Sequence, residues 1–149
     1  MYRHILVPTD GSPLSERAVK EAVMLAKLAD AKLLLFHAVP PHSTLAYAEG
    51  NARPWVVVEN ERSTEQSQAL VLEVFASSTK IADLSGVKMD KQFVVSFSPY
   101  EAILEAAEKH GCDLIVMASH GRRGFSGLLL GSETQKVLTH SRLPVLVVH

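Results

Sequence analysis

A chain of 149 residues carrying 15 Lys and Arg against 16 Asp and Glu has a net charge of -1, so it has room for one domain with a sizeable core and no bulk attraction for DNA, RNA or an anionic membrane. Its single cysteine, Cys112, excludes an intramolecular disulfide and a thiolate metal cluster within one chain, which fits a reducing, cytoplasmic compartment. The start of the chain lacks the pattern of a signal peptide, and no apolar run approaches the roughly 18 to 20 residues that span a bilayer, so a soluble protein without membrane insertion is expected.

In chain order, the apolar run Ile5-Leu6-Val7 predicts a strand over 5–7, buried on both faces because it shows no alternation. Ser12 as N-cap and Pro13 in the first helical position then open a helix whose stripe includes Ala18, Val19, Ala22, Val23 and Ala26. A second strand covers 32–39. Residues 40–59, with Pro40, Pro41, Gly50 and Pro54, are too broken for a regular element; a mobile functional loop and a plain surface excursion both remain open. The longest helix is expected over 60–84 and a third strand over 92–95. Ser98, Pro99 and Glu101 read as a capping box for the next helix, with Ile103, Ala106 and Ala107 inward and Gly111 as its stop. A strand over 114–118, a helix from near Ser132 with Val137 and Leu138 inward, and a strand over 144–148 complete the order.

Strands and helices that alternate in this way imply an α/β fold, a parallel sheet with right-handed crossovers and helices on both faces, as one domain over 1–149. Ligands of such sheets bind beyond the carboxyl ends of the strands, where neighbouring strands send their chains to opposite faces. Two loops there carry chemistry. Pro8-Thr9-Asp10-Gly11-Ser12 offers a carboxylate, a pure acceptor suited to two ribose hydroxyls, although Asp10 and Ser12 also suit a purely structural entry to the helix. The stretch from Ser119 to Ser132 is glycine-rich and dibasic and delivers Gly131 and Ser132 to a helix start, where backbone N–H groups and the helix dipole favour a phosphate. If strands one and four are neighbours the loops meet, which predicts the order 3-2-1-4-5.

These segments, Ile5 through Ser12, Asp113 through Gly124, and Leu130-Gly131-Ser132 through Val148, resemble the universal stress protein family over essentially the whole chain. ATP-binding members follow the pattern Gly, two residues, Gly, nine residues, Gly, then Ser or Thr; here Gly121, Gly131 and Ser132 match, and Ala118 holds the first glycine position. An alanine is tolerable there if its φ is negative. The resemblance implies a five-stranded Rossmann-like sheet of the adenine nucleotide alpha-hydrolase type and ATP as ligand, with magnesium, if present, held mainly by the phosphates. It places the site at the Pro8-Thr9-Asp10 turn, with Asp10 on the ribose, the backbone of Ala38 and Val39 at the adenine edge, and Pro8 and Met117 against the ring. Gly121, Gly131, Ser132 and the N–H groups of Glu133 and Thr134 would hold the phosphates. Arg122 and Arg123 read either as phosphate neighbours, with one direct contact, or as a solvated pair.

The resemblance also implies a homodimer through the last strand, Pro144 to Val148, whose apolar edge a second copy would cover. A regulatory dimer that offers its nucleotide-dependent surface to a further protein is the expected function. Two alternatives stand beside it: a slow ATP hydrolase and a nucleotide-free dimeric stress protein. For hydrolysis the chain offers no Walker-type run, and His120 is the one acid or base near the phosphates, where a loop-holding role is the competing reading. Cys112 is expected to pack and not to react, and His37 to be a buried strand histidine.

Overall fold

The computed structural model describes residues 1–39, 61–121 and 130–149, leaving aside the side chains of 61–70. Among these, strands β1 (His4–Pro8), β2 (Lys32–Val39), β3 (Met89–Val95), β4 (Leu114–Ala118) and β5 (Val145–Val148) are interleaved with helices α1 (Pro13–Ala29), α2 (Glu61–Ser85), α3 (Pro99–Lys109) and α4 (Ser132–His140). All strand pairs are parallel and the sheet order is β3-β2-β1-β4-β5. This is the α/β fold and the order expected from the sequence.

Strand periodicity divides the core into two layers. Ile5, Val7, Leu33 and Leu35 face α1 and α2, meeting Val19, Val23 and Phe75. Leu6, Leu34, Phe36 and Ile115 face α3 and α4, meeting Ile103, Ala107 and Val137. The central strands therefore read as continuous apolar runs because successive residues serve different layers. Phe36 is fully buried, and truncation to alanine would cost about 3–5 kcal/mol.

Helix α1 starts as its sequence dictates: Ser12 is extended, and its hydroxyl accepts from Ser15 N at 3.2 Å, with Pro13 next. It ends at Asp30, which takes the left-handed φ of 53°. Helix α3 stops with Gly111 at φ 63°, while Cys112 N donates to Ala107 O at 2.8 Å.

Four expectations need correction. The capping box of α3 does not form: Ser98 has φ -125° and ψ 84°, and its hydroxyl makes no cap bond. Tyr100 N in the first turn instead donates to Glu133 Oε2 on α4 at 2.9 Å, and Glu101 accepts from the Tyr100 hydroxyl. Strand β3 begins three residues earlier than expected, because Asp90 and Lys91 on this edge strand are exposed and interrupt the apolar run. Strand β5 begins at Val145; Pro144 has no N–H to give, although its carbonyl accepts from Ile115 N at 3.1 Å. Leu138 is 40% exposed, since Thr134 and Val137 already take the buried side of α4 and the next residue is turned about 100° away.

Candidate functional site

Strand β1 hands its chain to α1 on one face, and its neighbour β4 leads on to α4 on the other. The carboxyl ends of β1 and β4 therefore flank the crevice of a topological switch point. The β1 loop and the described ends of the β4 loop, residues 119–121 and 130–132, reach it.

The β1 loop is braced from within. Thr9 is buried, its hydroxyl lies 3.0 Å from that of Ser15, and it accepts from Gly11 N at 3.3 Å. Asp10 Oδ1 accepts from Ser12 N at 3.0 Å, an Asx turn into the helix, so the structural reading of Asp10 holds for this oxygen. Its other oxygen faces the β4 loop: a Cβ added to Gly121 would lie 2.6 Å from Asp10 Oδ2. Asp10 and Gly121, 111 residues apart in sequence, are thus in contact, and the missing side chain at 121 makes room for the carboxylate.

At the start of α4 the same device recurs. Gly131 has φ -62° and ψ 150°, which any residue adopts, but a Cβ there would come within 3.1 Å of His120 Cα and 3.3 Å of Ser119 O. Space, and not backbone freedom, favours a glycine here. Its N–H donates to Ser119 O at 2.7 Å, fixing the β4 loop against the start of α4. Thr134, buried one turn on, donates its hydroxyl to Ala118 O at 2.9 Å. Ser132 is exposed at the first position of α4. Ala118 is the last residue of β4, paired with Val148, and has no positive φ, which meets the condition set for an alanine at that place. His120 Nδ1 lies 3.2 Å from Ser119 Oγ, a contact within the loop that favours the loop-holding role.

At the opposite side of the crevice, Pro8 is half-buried. Thr9 N donates to Phe36 O at 2.8 Å, so by strand alternation Ala38 also turns its backbone toward the β1 side, just beyond the point where β1 ends. Val39 turns the other way, and its carbonyl accepts from Ser96 N at 2.9 Å. Met117 is 6% exposed, packed mainly into the layer beneath α3 and α4. Arg122 and Arg123, most of the loop they belong to, and the stretch 40–60 lie outside the described residues.

Sequence reasoning missed what two residues contribute. His37, expected to be a buried strand histidine, is half-buried because it sits near the open carboxyl end of β2, and its Nδ1 donates to Thr9 O at 2.7 Å, tying β2 to the β1 loop. The register, which pairs Pro8 with Phe36 and brings the next residues together, would have revealed it. The side chain of Glu133, considered only for its N–H, reaches across to α3. Cys112 behaves as a packing residue: burial, with a smaller contribution from the Asp113 charge, pushes its thiol up to about 11.

The universal stress protein family model matches residues 1–149. Universal stress protein MJ0531 of Methanocaldococcus jannaschii is 35% identical over 149 residues, covering 99% of this chain and 82% of that protein. The MJ0577 protein of the same organism is 31% identical over 156 residues, covering 99% and 95%, and its solved structure matches with a TM-score of 0.75 over 99% of this chain and 96% of that one. A universal stress protein solved in complex with cAMP matches at 29% identity with a TM-score of 0.70, covering 99% and 97%. With the family model matched over residues 1–149 and the fold in agreement, the chain belongs to the universal stress protein family.

Proposed function

We propose that this universal stress protein binds an adenine nucleotide, ATP in the first instance, in the crevice between the ends of β1 and β4, and uses it as a signal within a homodimer. The observation that carries the reading is the meeting of Asp10 with Gly121 beside the glycine-lined start of α4. The 29%-identical relative solved with cAMP supports the adenine nucleotide class.

In this reading Asp10 Oδ2 takes the ribose hydroxyls while Oδ1 keeps the turn, so the structural and binding roles divide between two oxygens. The Ala38 backbone meets the adenine edge, with Val39 shaping the strand end, and Pro8 and the outlying edge of Met117 bound the ring. Thr9 and Ala118 support the two loop backbones. Gly121, Gly131, Ser132 and the N–H groups of Glu133 and Thr134 take the phosphates, joined by His120 and one of Arg122 and Arg123. Magnesium would arrive on the phosphate oxygens. The dimer forms through the outer edge of β5, where Leu146 is 42% exposed.

The test is to denature freshly purified protein and identify any released nucleotide by chromatography and mass, with Gly131→Val alongside. The parent is expected to release ATP or ADP, or to gain thermal stability with added ATP. The variant, whose side chain collides with the His120 backbone, is expected to do neither while retaining a cooperative melt. A parent that neither releases nucleotide nor is stabilised by it overturns the reading in favour of a nucleotide-free family member.

A further inference from the structure

An acidic residue in the first turn of a helix ordinarily compensates the helix's own partial positive charge, and at a phosphate-binding helix it would compete with the ligand. Glu133 is such a residue, second in α4. Its carboxylate is committed elsewhere. Oε2 accepts from Tyr100 N at 2.9 Å, in the first turn of α3, and Oε1 accepts from Lys136 Nζ at 2.9 Å. The negative charge therefore sits on the positive end of a different helix and on an ammonium, which itself lies 5.3 Å from the Tyr100 ring centroid. That hydrogen bond to Glu133 is the leading reason the Lys136 ammonium holds its proton above the ordinary lysine range. The Glu133 side chain is 35% exposed, so its charge is moderated by solvent and not extinguished.

We propose that Glu133 determines how strongly the site discriminates among ligands by phosphate charge, and that its tether to Tyr100 N and Lys136 keeps the start of α4 open to polyphosphates. This rests on the adenine nucleotide reading above. The tether makes opposite demands on two conservative substitutions. Glu133→Gln keeps a carbonyl oxygen for Tyr100 N and removes the charge. Glu133→Asp keeps the charge but is one methylene too short for the span, which releases the carboxylate to the N–H groups of its own helix.

The experiment measures dissociation constants of AMP, ADP and ATP for the full chain and both variants, at low and high salt. Glu133→Gln is expected to raise the ATP-to-AMP affinity ratio about threefold to tenfold, Glu133→Asp to lower it by a similar factor, and both effects to shrink as salt rises. A purely structural role would move both variants the same way. Ratios that stay within about twofold of the parent, or shift in one direction for both, overturn the proposal. Lys136→Met, on an exposed face, adds an arm whose measurement in the parent background does not depend on either Glu133 variant folding. It should lower the ratio in the parent and leave it unchanged in the Glu133→Gln background, and a loss that persists there also overturns the proposal. If the parent binds none of the three nucleotides, the functional reading falls and takes this one with it; binding with unchanged ratios removes this one alone.

Discussion

Two aspartates stand at opposite ends of the β1 and β4 pair, and they are used in opposite ways. At the amino end, Asp113 accepts from Arg3 N at 2.8 Å and His4 N at 3.0 Å, while its own N–H donates to His4 O at 2.9 Å. The carboxylate joins the two chains where the strands begin. At the carboxyl end, Asp10 gives one oxygen to its own turn and points the other at a glycine. The first arrangement ties two strand starts together, whereas the second brings two loops into contact across the space of an absent side chain. The residue type is the same, and what it faces decides whether it fastens the structure or, in the function proposed above, furnishes a site.

That contrast predicts effects on different measurements. The largest is expected for Asp113→Ala, which strips a charged acceptor from two backbone donors and should cost about 2 kcal/mol in chemical denaturation while leaving nucleotide affinity unchanged. Gly121→Ala should behave in reverse: its Cβ displaces Asp10 Oδ2, weakening nucleotide binding about tenfold or more with a stability loss below about 1 kcal/mol. If Asp113→Ala weakens nucleotide binding as much as Gly121→Ala does, the division between fastening and furnishing is wrong. Ser12→Ala, which removes the cap of α1 beside the site, should cost about 1 kcal/mol in the same denaturation assay. Cys112, with its thiol raised to about 11, should resist alkylation at pH 8 in the folded protein and react promptly once unfolded.

Where the sequence was legible, each feature had a local cause. The apolar runs of β1, β2 and β4 show because both faces are covered, and the α1 cap shows because donor and acceptor lie three residues apart. The start of β3 escaped notice because an edge strand carries exposed polar residues. The cap of α3 escaped for a different reason: its acceptor, Glu133, lies 33 residues downstream, and the local pattern that resembled a capping box is bonded otherwise. For the site, the loops were legible as chemistry, but the Asp10 and Gly121 contact depended on the strand order, and the His37 bond to Thr9 O depended on register as well. Pairwise geometry of this kind is carried by the fold and not by any one segment.

The smallest predicted effect probes the fastened end through its buried histidine. His4 is 6% exposed in the first position of β1, and its Nδ1–H donates to the carbonyl of His110 just past α3 at 3.0 Å. Its Nε2 is buried without a hydrogen-bond partner among the described residues, so a second proton there would be an unsatisfied donor. Burial lowers its pKa from the ordinary value first, and the Lys32 ammonium on β2 second; the His110 carbonyl and the Asp90 carboxylate on β3 act the other way, and the His110 ring adds slightly to the lowering. The folded chain therefore prefers the neutral imidazole. Its contribution is present above the unfolded pKa near 6.5 and is lost as pH falls below that value toward the lower folded one. Melting temperature should thus decline between pH 7 and 5, and His4→Asn, which keeps a donor near the Nδ1 position but does not titrate, should flatten that slope. The nucleotide affinity of the variant should follow the parent's pH profile, because the crevice lies at the other end of the sheet; a slope unchanged by the substitution would remove His4 as its source.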